Sequence, residues 1–133
     1  MKTLTLEQTE YVINKAINKA EQLNIMVNIA IVDSAGYLIN FKRMDGALLG
    51  AIDIAMKKAK TSALFAKPCH LLGEKSQPGG ALYQIEQSNN GLITFAGGLP
   101  INNAHGEIIA AVGVSGSTIE NDLAVAQASI AEV

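Results

Sequence analysis

The chain has 133 residues, a formal charge of −2 and only 17% charged residues. That length suits one domain, 1–133, burying about two thirds of its unfolded surface. The absence of a basic stripe or stacking aromatics argues against nucleic-acid binding. Its one cysteine, Cys69, excludes an internal disulfide and fits a reducing, cytoplasmic compartment. No apolar run has the length of a membrane span, so no membrane partner is expected. Glu7 and Glu10 interrupt the apolar run that a signal peptide would need. With 49% hydrophobic residues beside so little charge, part of the surface is expected to be covered in a homo-oligomer.

Thr5-Leu6-Glu7-Gln8 reads as a capping box opening a helix to about Leu23. Ile13, Ala16, Ile17, Ala20 and Leu23 share its apolar face. The period then changes to that of a strand over Val27–Val32. Asp33-Ser34-Ala35-Gly36 marks a turn, and alternation resumes from Tyr37 to about Arg43, which together predict a β-hairpin. Helical spacing returns over Leu48–Ala66, with Ile52, Ala55, Met56, Ala59, Ala63 and Ala66 as a stripe and Lys57, Lys58 and Lys60 off it. Pro68 stops that helix. Cys69 to Gly80 reads as a polar connection, followed by a short helix around Ala81–Gln87.

Leu92–Phe95 and Leu99–Asn102 read as short strands around Gly97-Gly98, and Glu107–Val114 as a central strand. Ser117-Thr118-Ile119-Glu120 predicts a capped last helix with Ile119, Leu123, Ala126 and Ile130 inward. The hairpin requires antiparallel pairing. The expected fold is therefore α+β: two layers, a roughly five-stranded antiparallel sheet, and helices packed mainly on one face.

Few constellations suggest chemistry. Gly73-Glu74-Lys75-Ser76 lacks the glycine spacing of a phosphate loop. Gly113-Val114-Ser115-Gly116-Ser117 leads from a strand into a helix, where free amides and hydroxyls of Ser115 and Ser117 could meet an anion. A capped strand-to-helix turn is the plainer reading. His70, beside Cys69, and His105, in the Asn103–Gly106 turn, are candidate metal or haem-iron ligands, each also readable as an ordinary loop residue. Arg43 and Asp45 bring charge to the hairpin exit, either as a local ion pair or toward a ligand. Lys58 and Thr61 stand three apart on one helical face, solvated or reaching a common ligand. No catalytic triad or paired catalytic carboxylates stand out.

Taken together, Ile31–Leu38, Arg43–Ala47, Lys58–Phe65, Gly97–Ile101 and Gly113–Ser117 with Asp122 following are specific. In this order the chain resembles the GlcG/HbpS family of haem-binding and haem-degrading-type domains, also found at the C-terminus of PduO-type corrinoid adenosyltransferases. The resemblance implies a profilin-like fold and a homo-oligomer built from dimers. It also implies a small-molecule ligand, haem or another tetrapyrrole such as a corrinoid, with Lys58 or the Ser115–Ser117 amides meeting propionates. An accessory subunit of cobalamin-dependent diol or glycerol metabolism and a haem-degrading enzyme are the alternative expectations. Two features depart from the family pattern: Thr5–Leu23 contains no histidine, and Cys69 follows Pro68 where the family commonly has threonine.

Overall fold

The computed structural model describes residues 3–131; the outermost residues of the expected 1–133 domain lie outside the described ones. The elements are α1 (Leu6–Gln22), β1 (Asn28–Asp33), β2 (Leu38–Arg43), α2 (Ala51–Phe65), α3 (Cys69–Lys75), a single 3₁₀ turn (Ile85–Gln87), β3 (Gly98–Asn102), β4 (Ile108–Ser115) and α4 (Ile119–Ile130).

The capping box of α1 forms as expected. Thr5 accepts from the Gln8 amide, and the Gln8 side chain accepts from the Thr5 amide. The hairpin closes through Asp33, whose carboxylate accepts from the amides of Ala35 and Tyr37. β4 lies inside the sheet, whose order is β2-β1-β4-β3 with every pair antiparallel.

Alternation along the strands feeds two cores. Ile29 and Ile31 of β1 and Val112 and Val114 of β4 face one way, against Val12, Ile13, Ala16 and Ala20 of α1 and Val125 and Ala126 of α4. Ala30, Val32 and Ala111 face the other way, against Ala55, Ala59 and Ala63 of α2. The molecule is an α+β fold with helices on both faces of the sheet, not mainly on one. Asn28–Val32 of β1 and Ala110–Ser115 of β4 are buried on both faces, so neither face of these stretches was free to be solvated.

The sheet has four strands rather than five. Leu92–Phe95 is extended but unpaired with the sheet: the Leu92 amide donates to Glu86 O and the Ile93 amide to Thr61 Oγ1. Its donors are thus met by a loop carbonyl and a helix side chain instead of a strand. The expected polar connection after Pro68 contains α3. Its Gly73 sits so close to Thr94 that a β-carbon there would fall 2.1 Å from Thr94 O. The helix expected at Ala81–Gln87 is reduced to the single 3₁₀ turn. The cap of α4 falls one residue later than expected, on Thr118, which accepts from the Asn121 amide.

The α2 interface is built from small residues, so the helix lies almost against the strand backbone. A β-carbon on Gly113 would stand 2.0 Å from Ala55 O and 2.6 Å from Ala59 N. We expect Gly113→Ala to cost about 3 kcal/mol or more in urea denaturation, because backbone on both sides must separate. Gly50→Ala is the control. Gly50 already has helical dihedrals, and a β-carbon there meets nothing, so it should be neutral or stabilise by about 0.5 kcal/mol. Equal stability of the two variants would refute the close approach.

Candidate functional site

Where α2 crosses β4 and the start of α4, a charged residue occupies an apolar position. Lys58 is fully buried, and so, at 2% exposure, is Asp122 on α4. Lys58 Nζ donates to Val114 O at 2.8 Å and to Asp122 Oδ2 at 3.2 Å, and stands 5.1 Å from the centre of the Phe95 ring. Asp122 Oδ1 accepts from the Ser117 amide at 3.0 Å. The ammonium thus has a carbonyl, a carboxylate and an aromatic face around it. Gly97, at φ +133°, makes the room: a β-carbon there would reach 2.7 Å from Nζ. Burial pushes Lys58 below its usual pKa of 10.5, and the Asp122 charge pulls it partly back.

Asp122 also lines a groove of about 480 Å³, within the usual range for small-molecule sites, about 300–1,000 Å³. Leu48, Leu49, Ile54, Phe95 and Ile119 give it apolar walls, and Ser115, Ser117 and Asp122 a polar edge. Leu48 and Leu49 are two-thirds exposed. The Leu92–Phe95 segment that presents the ring is held by Thr61 and by Glu86, which accepts from Thr94 Oγ1 at 2.5 Å and Ser76 Oγ at 2.8 Å. Asn28, fully buried at the start of β1, bridges two wall residues: its Nδ2 donates to Leu48 O at 3.1 Å and lies 3.5 Å from Ser115 O.

The candidates from sequence separate on this geometry. Ser115 and Ser117 line the groove. Lys58 lies behind it, its charge committed to Asp122. Thr61 is buried and occupied, donating to Lys57 O at 2.7 Å and accepting from the Ile93 amide at 3.2 Å. The pair therefore forms no solvated face. Arg43 and Asp45 are exposed, lie outside the groove lining, and form no ion pair with each other among the described residues. His105 is exposed at the tip of its turn; its amide donates to Asn103 Oδ1. His70 is half-buried on α3 with a buried Nδ1 that has no partner. Cys69 is buried with its thiol on Phe95 O, and burial pushes its pKa up, which suppresses the reactive thiolate. Among the described residues no three His, Cys, Asp or Glu side chains cluster as a metal site, and no helix is long and apolar enough to cross a membrane.

Sequence reading missed Asn28, Leu48, Leu49, Ile54 and Phe95 as site residues, and gave Asp122 no role in the site. Asp122 carried a signal: it lies three residues after Ile119 and four before Ala126, on the inward face, where a carboxylate needs a buried partner. Lys58 stands in the same relation to Ala55 and Ser62. The groove residues carried none, because nothing local distinguishes an exposed Leu48 from a buried one.

Four antiparallel strands between a helix pair and a lysine-bearing helix, with a groove at one end, define the class of fold. The chain belongs to the haem-degrading protein HbpS-like family, whose model matches residues 4–131. It is 33% identical over 129 residues to an uncharacterised 15.0 kDa protein from the dhaT-dhaS intergenic region of Citrobacter freundii, covering 96% of this chain and 90% of that one. It is 37% identical to the corrinoid adenosyltransferase PduO of Salmonella typhimurium over 89% of this chain, but spans only 35% of that protein's length. Among solved structures, Klebsiella pneumoniae protein ORFY superposes with a TM-score of 0.95 at 32% identity, covering 98% and 90% of the two chains. The PduOC–haem complex superposes with a TM-score of 0.93 at 33% identity, covering 98% and 95%.

The buried pair makes a sharp prediction. Asp122→Asn leaves Lys58 charged without a counter-ion and should cost about 3–5 kcal/mol at neutral pH. Lys58→Met with Asp122→Leu removes both charges and should return to within about 1–2 kcal/mol of wild type. The pH dependence has a definite sign. Between the depressed folded-state pKa and the usual 10.5, the unfolded chain binds more protons, so stability rises with pH. Asp122→Asn removes an influence that raises the Lys58 pKa and extends that window downward. Its deficit should therefore shrink as urea titrations move from neutral toward about pH 10. Additive losses in the double variant, or a deficit independent of pH, would show that the pair is not coupled.

Proposed function

We propose that the protein is a small-molecule-binding module, with its ligand in the groove walled by Leu48, Leu49, Ile54, Phe95 and Ile119. The observation that carries this reading is the groove itself: apolar walls meet a short polar edge whose carboxylate is neutralised from behind by Lys58. Such a site binds through excluded apolar surface and fixes orientation with a few polar contacts. Haem or another tetrapyrrole is the first candidate, supported by kinship with the PduOC–haem complex and with HbpS.

The lining fits the edge of an apolar ring but supplies no axial ligand to iron: it contains no His, Cys, Met or Tyr. Lys58 is spent on Asp122, which speaks against its meeting a propionate. We further propose a cytoplasmic homo-oligomer built from dimers, formed by a single 1–133 domain. The exposed Leu6, Tyr11, Met26, Tyr37, Leu48 and Leu49 supply apolar surface for such contacts. The element order, with helices on both sheet faces, supports a profilin-like grouping. An accessory subunit of cobalamin-dependent diol or glycerol metabolism is the second reading, favoured by the sequence shared with corrinoid adenosyltransferases. A haem-degrading enzyme is the third reading, and bleaching of haem above the free-haem control, with reductant and oxygen, tests it.

Titration with micromolar haem should give a saturable absorbance change. Ile54→Trp, which fills the groove, should weaken it by about 10-fold or more. His70→Ala and His105→Ala should leave the spectrum unchanged; loss of the Soret shift in either would make that histidine the ligand. No change with wild type would remove haem. Light scattering after size exclusion should give a multiple of the chain mass, and a single-chain mass would remove the oligomer.

A further inference from the structure

The polar edge of the groove has an unbalanced inventory of donors and acceptors. The start of α4, which ordinarily offers amides to an anion, is partly occupied by its own side chains. The Ser117 amide is taken by Asp122 Oδ1 and the Asn121 amide by Thr118 Oγ1. Glu120 and Asp122 both stand in that first turn, adding negative charge where an anion would dock. The nearest cation, Lys58, is already satisfied. The hydroxyls of Ser115 and Ser117 donate or accept and so decide nothing.

Acceptors, by contrast, remain. Asn28 is fully buried, and its Oδ1 has no donor among the described residues. Its orientation is fixed, because Nδ2 faces two carbonyls, Leu48 O and Ser115 O. Flipping the amide would set oxygen against oxygen. An orphaned buried acceptor costs free energy until a donor meets it. Both carbonyls that anchor Asn28 belong to residues lining the groove. Asp122 carries one donor on Oδ1 and one on Oδ2, which leaves lone pairs on the carboxylate.

From this inventory we propose that the groove receives a compact apolar molecule whose inward end carries a hydrogen-bond donor, a hydroxyl or a protonated amine, and that it rejects a carboxylate there. This rests on the groove being the ligand site and narrows what enters it.

The test uses one apolar body with three heads: cyclohexylmethanol, cyclohexylmethylammonium and cyclohexanecarboxylate. Each is titrated into the full chain while the methyl NMR signals of Leu48, Leu49, Ile54 and Ile119 are followed. At least one of the two donor-bearing probes should bind about 10-fold or more tightly than the carboxylate, and the stronger of the two identifies the preferred head. In Asn28→Ala, checked for an unchanged fold by its methyl spectrum, that preference should fall to about 3-fold or less. If Asn28→Ala does not fold, the wild-type ranking alone decides. Carboxylate binding as tight as or tighter than both donor probes overturns the proposal, as does an unaltered preference in a folded Asn28→Ala. Absence of binding by all three overturns it as well. In that case Ile54→Trp separates the two claims: if it still weakens haem the groove stands as the site, and if it does not the groove fails too.

Discussion

The fold depends on how an ammonium group is kept out of water. Lys58 lies on the face of α2 that meets the sheet, at a position where its neighbours Ala55, Ala59 and Ser62 are all fully buried. Removing such an ion from water costs several kcal/mol even after relaxation. The cost is offset only because three separate elements deliver a group to the same point: β4 the Val114 carbonyl, α4 the Asp122 carboxylate, and the chain entering β3 the Phe95 ring. None of these can move without stranding the charge. The interaction therefore ties α2, β4 and α4 together at the end of the sheet where Asp122 also lines the groove. The close approach of α2 is set by glycine. Gly113 lets the helix backbone reach β4, and Gly97 leaves room for the lysine stem and head.

Most of the architecture was legible in the sequence because local signals and tertiary demands agreed. The capping box at Thr5, the Asp33–Gly36 turn and the apolar β4 each specify their structure through neighbours in sequence. Where reading failed, the deciding partner was remote. Leu92–Phe95 has strand-like composition, yet the Ile93 amide finds Thr61, 32 residues away, before it finds a strand. The helices were expected mainly on one face, whereas α2 packs on the other through Ala55, Ala59 and Ala63. Small size, rather than strong hydrophobicity, is what lets it pack on the second face of the sheet. Lys58 was left between a solvated face and a ligand contact, because buried lysines are exceptions, and its burial depends on Asp122, 64 residues away.

The candidate site was less legible than the fold, for a related reason. Lys58 and Thr61 were singled out as site candidates, and their polar groups are consumed inside the protein. Thr61 ties α2 to the loop that presents Phe95, and Lys58 ties it to β4 and α4. Arg43 and Asp45 stand in the solvent at the C-terminal end of β2 and in the turn after it, outside the groove lining. A motif residue thus divides into one that shapes a site and one that touches a ligand, and only coordinates separate the two.

That division bears on what members of one family can bind. Among the residues that carry the resemblance, Lys58, Thr61, Gly97, Gly98, Gly113 and Asp122 hold the frame: each either closes the buried pair, pins the Phe95 loop or permits backbone contact with α2. The apolar walls, Leu48, Leu49, Ile54, Phe95 and Ile119, fall outside those motifs, on the approach to α2, its first turn, the loop before β3 and the first turn of α4. Substituting Leu48, Leu49, Ile54 or Ile119 changes groove volume without touching the Lys58–Asp122 pair, whereas Phe95 serves both, so ligand choice and stability are separable at those four positions. A frame residue cannot be changed so freely, because the charge it encloses has no solvent to return to. The same backbone can therefore hold different ligands, and a ligand bound by one relative argues for the location of the site in another more strongly than for the identity of what fills it.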